Sequence, residues 1–348
     1  MARAMGRRAF FGAAAAAGAA YGVAGSRAVE STEADRTPTG APPYCEVVPE
    51  AGKQAVFRFG GEERLRWNFG TDYPRPFFYP VRGPSGAGLT RMGHPGAADH
   101  DHHQSIWFAH DSVDGHGFWS NQSPGVIRQK EWLAYQDGDS EAVMAALLSW
   151  RVEETGAELL EQELIAAARP AEDGGTLLEI GAEFRPAGDA VAFGQTNFGF
   201  LAVRVAKSLS AYFGGGRLVN SEGGEGEEAV FGERARWMDY SGPVAVGTGQ
   251  SRRVVTEGLA YISHPDNPAH PPRWHVRSDG WMGAAHSMDG PLTAEREAPL
   301  RLRWLIHAHA GPADPGQTDA LAEAFAATSP YEVAEDPSPH TRFTIRRR

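Results

Sequence analysis

The densest group of chemically capable side chains is a histidine-rich segment at residues 99–110. Four histidines and two aspartates occur within these twelve residues. Neutral imidazole can move protons near neutral pH or bind a divalent metal ion. We therefore predict Asp101, His102 and His103 as candidates for catalytic proton transfer. We predict His100, His102 and His103 as candidate ligands of a divalent metal. The alternative is a solvated, locally hydrogen-bonded histidine-rich loop.

The same segment is predicted to be an extended strand from His102 onward. Because side chains alternate along a strand, the two faces can be assigned. One face would carry His102, Gln104, Ile106, Phe108 and His110, and the other His103, Ser105, Trp107 and Ala109. The aromatic pair Trp107 and Phe108 indicates that the segment enters the core. Gln104, Trp107 and His110 are predicted to contact a ligand, with Trp107 stacking on it.

A second candidate segment, residues 264–277, contains four prolines that stiffen a polar loop. At its end, His275 and Arg277 alternate with Trp274 and Val276, so the two polar side chains project together. The histidine could carry protons, and the arginine could hold hydroxyls or a carboxylate. The alternative is a structural arginine–acid pair beside a capped histidine. Further predicted ligand-binding residues of this segment are His264, Asn267 and Trp274.

Weaker candidates lie in three other places. Asn197 precedes a predicted strand and Arg204 lies within it, and both could bind substrate. The alternative for the asparagine is plain turn chemistry. Glu222 lies in an acidic, glycine-rich loop and could accept a proton, or the loop could simply be solvated. His307 and His309 share one strand face, where they either close the cleft or face water; His307 is the predicted substrate contact.

The elements that must position these residues are mostly strands. Tight glycine turns separate alternating segments at residues 143–152, 158–168 and 176–184, which predicts an antiparallel meander. Further strands are predicted at 199–206, 258–263 and 300–309, and a helix at 318–328. No alternation of strands and helices is visible. The sequence therefore predicts an all-β fold, a large antiparallel β-sandwich with one or two short helices.

The amino terminus has the pattern of a targeting segment. Arg7 and Arg8 precede a short run of small apolar residues, which is typical of a twin-arginine signal peptide. A membrane anchor is the alternative, but the run is shorter than the roughly 20 residues that a bilayer requires. We predict a signal peptide at 1–28, a linker at 29–43 and one β-sandwich domain at 44–348. The expected location is periplasmic or secreted, with no integral membrane segment after cleavage.

Composition narrows the class of ligand. The net charge is −11 at pH 7, so the chain should repel nucleic acid, and a neutral or cationic small molecule is easier to accept. Cys45 is the single cysteine, which excludes internal disulfides and cysteine-based zinc or iron–sulfur sites. There is no GxSxG, Walker A or strand-linked GxGxxG motif, so serine hydrolysis, phosphoryl transfer and dinucleotide chemistry lack support.

Several motifs carry a family resemblance. Residues 75–81, 89–91, 99–103, 107–110, 197–199, 203–204, 237–242 and 264–277 resemble, in this order, the PmoA-like family of unknown function, often labelled methane oxygenase. Gln104 departs from this resemblance, since the family pattern has arginine there. The resemblance spans roughly residues 50–310 and implies a carbohydrate context. The plan of strands is also similar to that of the aldose-epimerase-like (galactose mutarotase-like) supersandwich proteins, a resemblance of fold alone.

These observations lead to a functional prediction. We expect an exported enzyme that performs acid–base chemistry on a sugar or sugar derivative by epimerisation, elimination or hydrolysis. One imidazole of His102 or His103 would donate a proton, and His275, Asp101 or Glu222 would accept one. The alternatives are a metal-dependent oxygenase or hydrolase using the histidine cluster, and a non-catalytic glycan-binding module.

Overall fold

Antiparallel strands build nearly the whole fold. The computed structural model describes residues 43–94 and 96–348. The predicted signal peptide lies outside the described residues, as does the predicted linker except for its last residue, Pro43. The strands are β1 Cys45–Glu50, β2 Gln54–Phe59, β3 Glu62–Asn68, β4 Phe77–Val81, β5 Ile106–His110, β6 Gly125–Gln136, β7 Ala142–Val152, β8 Glu158–Pro170, β9 Thr176–Pro186, β10 Ala190–Phe193, β11 Gly199–Arg204, β12 Arg217–Asn220, β13 Trp237–Val246, β14 Arg253–Ser263, β15 Arg273–Arg277, β16 Trp281–Ala285, β17 Leu292–Glu295, β18 Leu300–Ala310, β19 Tyr331–Glu335 and β20 Phe343–Arg347. The α-helices are α1 Ala211–Gly214, α2 Glu227–Val230 and α3 Pro315–Ala326.

Two large sheets form a sandwich in the described part of the chain. The first sheet has eight strands in the order β1-β2-β3-β4-β5-β11-β16-β15, and the second has eight in the order β12-β13-β14-β18-β9-β8-β7-β6. All strand pairs in both are antiparallel. Two short two-stranded ribbons, β10-β17 and β19-β20, complete the sheet structure. The predicted all-β antiparallel sandwich with short helices is confirmed.

The core lies between the facing sides of the two sheets. Alternate residues of each strand point into it, as the period of two requires. Along β18, the predicted inward residues are buried together with the inward face of the first sheet. These residues are Leu300, Leu302, Trp304, Ile306 and Ala308. The outer face of the second sheet is covered by α3 through Phe325 and by the β19-β20 ribbon through Ile345.

The predicted meander corresponds to β7, β8 and β9, which pair in sequence order. The predicted helix at 318–328 corresponds to α3, which begins three residues earlier. Asp314 caps this helix by accepting a hydrogen bond from the backbone N–H of Gln317, and Pro315 occupies its first turn.

The histidine-rich segment departs from the predicted strand. Strand β5 begins only at Ile106, and residues 102–105 lie outside any strand. The extended conformation is interrupted at Ser105, whose φ of 62° lies in the left-handed region. The alternation predicted from Ile106 onward is observed, but His102 does not follow it. Instead, the rings of His102 and His103 pack against each other with centroids 4.4 Å apart.

Candidate functional site

The polar residues of interest gather on the outer face of the first sheet, opposite the sandwich core. The strand register places Trp107 beside Ala202, Ala202 beside Gly283, and Gly283 beside His275. The two middle residues, alanine and glycine, leave a shallow floor between a bulky indole and an imidazole. The small residues of β11 and β16 therefore open space between the two outer positions.

An indole joins the two distant polar segments. The ring of Trp281 stacks on His103, with centroids 5.6 Å apart and planes at 16°, and meets His275 edge-on at 5.3 Å. Trp119 packs against the same indole at 5.1 Å and Phe198 packs against Trp119 at 5.0 Å. The segments near residues 103 and 275 thus meet in space, through one tryptophan.

These rings surround a cavity of about 430 Å³, within the range of about 300–1,000 Å³ that is usual for small-molecule sites. Its wall combines aromatic surfaces with imidazoles, carboxylates and one guanidinium. The lining residues are His100, His102, His103, Asp111, Trp119, Phe198, His275, Arg277, Asp279 and Trp281.

Hydrogen bonds to backbone carbonyls define the tautomers of two imidazoles. His275 donates from Nδ1 to the carbonyl of Asn197 at 3.0 Å, and His102 donates from Nδ1 to the carbonyl of Asp99 at 3.0 Å. Since a carbonyl can only accept, Nδ1 carries the proton in both rings. In the neutral form, Nε2 of each ring is therefore left with its lone pair, available to accept a hydrogen bond or a proton from a ligand.

Burial keeps these imidazoles neutral at physiological pH. Burial, followed by the charge of Arg277, lowers the pKa of His275 to about 4. Burial, followed by the charge of Arg75, lowers the pKa of His102 to about 4. Burial also places the pKa of His103 well below its ordinary range. All three rings therefore enter the cavity wall as neutral donors and acceptors.

Arginines hold the cavity wall in place from behind. Arg204, fully buried, donates to Asp279 at 2.7 Å, and His94 contacts the other carboxylate oxygen of Asp279 at 3.0 Å. Burial works against ionisation of Asp279, but these two partners lower its pKa. Arg75 donates to the carbonyl of His102 at 3.2 Å and so fixes the loop that presents this ring.

A carboxylic acid that sequence reasoning missed also lines the cavity. Asp111 directly follows β5, and its backbone N–H donates to the carbonyl of Phe198 at 3.0 Å. The neighbouring carbonyl, of Asn197, receives the proton of His275. The carbonyls of two consecutive residues, Asn197 and Phe198, therefore position His275 and Asp111, respectively. Asp111 as a whole is exposed, and partial burial of its carboxyl raises the pKa.

The structure separates the predicted site residues into those at the cavity and those elsewhere. The predicted residues that line the cavity are His100, His102, His103, His275 and Arg277. Trp107 lies beneath it and stacks on His103 at 5.6 Å rather than facing a ligand. Asn197 contributes its backbone carbonyl, and Arg204 acts through Asp279. Asp101 is exposed and does not line the cavity.

Two predicted ligand contacts lie on the opposite side of the sheet. His110 faces the core between Phe193 and Phe200, with Nε2 at 3.0 Å from the hydroxyl of Ser287. Trp274 is also in the core, where its indole N–H donates to the carbonyl of Ala235. Strand alternation explains both placements, since each occupies an inward position of its strand. Neither residue can contact a ligand in this cavity.

The remaining predicted contacts are structural or distant. His264 and Asn267 bind Arg303 beside the second sheet, and His307 pairs with Asp173 at 3.3 Å. Glu222 is exposed and accepts a hydrogen bond from its neighbour Ser221. Gln104 is fully buried, and its amide has no hydrogen-bond partner among residues 43–94 and 96–348. None of these five predicted residues lines the cavity, because their segments pack elsewhere or beneath it.

Metal binding finds little geometric support. Among residues 43–94 and 96–348, no group of three or more histidine, cysteine, aspartate or glutamate side chains is arranged to hold a metal ion. The cluster of His100, His102 and His103 is held together by ring packing instead, with centroids 4.4–5.6 Å apart.

The described helices include none that is long and apolar enough to cross a membrane.

These features define an all-β protein with a histidine- and tryptophan-lined cleft on the outer face of one sheet. The chain belongs to the family of unknown function DUF6807, whose profile matches residues 54–323. The PmoA-like resemblance stays a prediction. A search of curated proteins found no match.

One similar solved structure is a proposed mutarotase (YeaD) from Salmonella typhimurium. The identity is 14%, the match covers 76% of this chain and 97% of that chain, and the TM-score is 0.27. A likeness at this level bears on neither the ligand nor the reaction of the present chain.

Proposed function

We propose that the chain is an exported carbohydrate-active enzyme that performs acid–base chemistry on a sugar or sugar derivative. The observation that carries this proposal is the convergence of His103 and His275 on Trp281, around a cavity that also contains Asp111 and Arg277. A cavity that offers aromatic faces together with several hydrogen-bonding groups suits a hydroxyl-rich ring with apolar C–H faces.

The proton-transfer groups are His275 and Asp111. Burial lowers the pKa of the His275 imidazole to about 4 and raises the pKa of the Asp111 carboxyl. General acid–base chemistry uses groups whose surroundings perturb their pKa in this way. Nε2 of His275 accepts a proton from the sugar while Asp111, in its carboxylic acid form, donates one to it, and the two roles exchange in the reverse direction.

The remaining groups hold the sugar. The indoles of Trp119 and Trp281 meet at 88° and form a corner against which a sugar ring can lie. Arg277 donates to hydroxyls from a side chain that is 43% exposed. His102 and His103 add neutral hydrogen-bonding positions on the opposite wall.

The proposal includes export through the twin-arginine route. Its support is the pair Arg7 and Arg8 followed by a short apolar run. Fractionation of cells that express the full chain would test it. We expect a shortened product outside the cytoplasm and retention of the full-length chain when both arginines are replaced by lysine. Normal export of that variant would refute the route.

The catalytic proposal is tested by proton NMR of a panel of sugars in D₂O. This readout detects anomer exchange, exchange of carbon-bound hydrogen, elimination and hydrolysis without prior choice among them. We expect turnover of at least one sugar, and losses of at least about 100-fold in His275→Ala and Asp111→Asn, as is typical for removal of a general acid or base.

The matched control is Glu222→Gln, a change in an exposed glutamate outside the cavity, which should retain full activity. Thermal melting and circular dichroism confirm that each variant is folded. Full turnover in both His275→Ala and Asp111→Asn would refute the assignment. Saturable sugar binding without any product would identify a non-catalytic glycan-binding module instead.

A further inference from the structure

A second cavity adjoins the first, and the proposed chemistry makes no use of it. Its volume is about 920 Å³. One wall consists of helix α2 with the flanking residues Gly226 and Phe231. The other lining residues are Ala211, Glu225, Arg277 and Ser278. Arg277 lines both cavities. This guanidinium therefore marks the junction between them.

Three contacts position the Arg277 side chain at this junction. Its guanidinium lies over the ring of Phe231, 4.6 Å from the centroid, and Nη1 donates to the carbonyl of Val276 at 3.1 Å and to Glu227 at 3.4 Å. Glu227 is itself fixed, since its other oxygen accepts the backbone N–H of Ser278 at 2.6 Å. Nε and Nη2 make no hydrogen bond within the described residues, so these donors are available to a ligand.

Aromatic packing connects the two cavities. Phe231 meets His275 edge-on, with ring centroids 5.5 Å apart. The proposed proton-transfer imidazole, the phenyl ring and the guanidinium thus form one continuous wall. A ligand that contacts His275 in the first cavity can extend along this wall into the second.

The charge of the second cavity restricts what can enter it. Three glutamates line it: Glu225, Glu227 and Glu228. Glu225 pairs with Arg217 and Glu227 with Arg277, whereas Glu228 is exposed and has no ion pair among the described residues. Carboxylates accept hydrogen bonds from hydroxyl or ammonium groups and repel anions. The cavity therefore suits an uncharged or amino-substituted sugar unit, and not a uronate.

We propose that the second cavity is a subsite for the neighbouring unit of a glycoside, with Arg277 donating hydrogen bonds where the two units join. The ligand class is then a disaccharide or longer glycoside with an uncharged or amino-substituted unit beside Phe231. This inference rests on the proposed function, because it requires the first cavity to hold a sugar.

Titration of intrinsic tryptophan fluorescence tests the inference, since Trp119 and Trp281 line the first cavity. The full chain is titrated with the methyl glycosides of glucose, galactose, mannose, xylose and N-acetylglucosamine, and with disaccharides that carry each of these at the non-reducing end. We expect at least one disaccharide to bind about tenfold more tightly than its methyl monosaccharide, the ratio that one additional set of contacts worth about 1.4 kcal/mol provides.

Two variants address the second cavity itself. Phe231→Ala removes the aromatic wall, and Glu228→Arg fills the cavity from an exposed position that does not threaten folding. Both should reduce the disaccharide-to-monosaccharide affinity ratio to about one. The matched control is Glu222→Arg, the same change on the segment before α2 but outside both cavities, which should keep the wild-type ratio.

The outcomes separate this inference from the proposed function. Binding of monosaccharides without any gain for disaccharides overturns the subsite and leaves the proposed function standing. A disaccharide affinity gain that persists in both Phe231→Ala and Glu228→Arg would likewise overturn the subsite and leave the proposed function standing. Failure of every sugar to bind overturns the proposed function and the subsite with it.

Discussion

Gly283 should control the position of the indole at the centre of the cleft. A Cβ atom at this position would lie 3.1 and 3.2 Å from Cζ2 and Cη2 of Trp281, closer than an ordinary contact. The φ angle of Gly283 is not in the left-handed region, so the backbone accepts alanine. In Gly283→Ala, the indole must therefore move while the strand stays in place.

The size of the effect follows from this overlap. Relief of the contact requires a shift of about 0.3 Å, and misplacement of reacting groups by about 1 Å costs about 100-fold in rate. If the logarithm of the reaction rate falls in proportion to the displacement, the turnover rate should decrease about fourfold. Because Trp281 packs against both His103 and His275, the shift affects both walls of the cleft.

Sugar affinity by fluorescence titration and turnover by NMR are the assays, with thermal melting as the measure of stability. The matched control is Gly181→Ala in β9, where a new Cβ has nothing within 4 Å. Both changes remove a similar amount of chain entropy from the unfolded state. Equal affinity and turnover in the two variants would refute the role assigned to Trp281.

Other expectations concern the fold and the buried polar groups. Burial lowers the pKa of His110 from 6.5 to about 4, so the unfolded chain binds a proton more readily; a stability contribution on the order of 3 kcal/mol is present above about pH 6.5 and is lost as the pH falls towards 4. Melting temperatures from pH 7 to 4 should fall less steeply in His110→Gln, and an unchanged slope would contradict this. Glu179→Gln leaves the buried guanidinium of Arg303 without its carboxylate, 2.9 Å away, and should cost about 3 kcal/mol in urea unfolding with sugar binding unaffected; wild-type stability would count against it. Gln104→Met removes a buried amide that has no partner within the described part of the chain and should raise the unfolding free energy by about 1 kcal/mol; lost sugar affinity would instead show that this amide reaches the ligand.

The sequence predicts which residues of a strand face the core, because this follows from the alternation of side chains along the strand. The alternation of β18 and of β15 correctly separates inward from outward residues, and it places His275 and Arg277 together. The same rule, applied to His110 and Trp274, assigns both to the core. The prediction of both as ligand contacts gave residue type more weight than the face of the strand, and neither lines the cavity.

Other parts of the site depend on information that periodicity does not carry. The left-handed conformation at Ser105 moves His102 out of the predicted strand face, and no residue type at that position announces it. Asp111 is a single aspartate at a strand end, with no spacing signal and no paired motif. Only the packing of the loop around Phe198 onto the first sheet shows that this carboxyl lines the cavity.

The cleft lies on the opposite side of the first sheet from the residues that hold the sandwich together. Along each strand of that sheet, alternate residues therefore face the core, and the residues between them face the opposite side. Along β15, for example, His275 and Arg277 line the cavity, whereas Trp274 and Val276 belong to the core. The proposed function then implies that ligand preference can change through substitutions on one side of this sheet while the core residues stay the same.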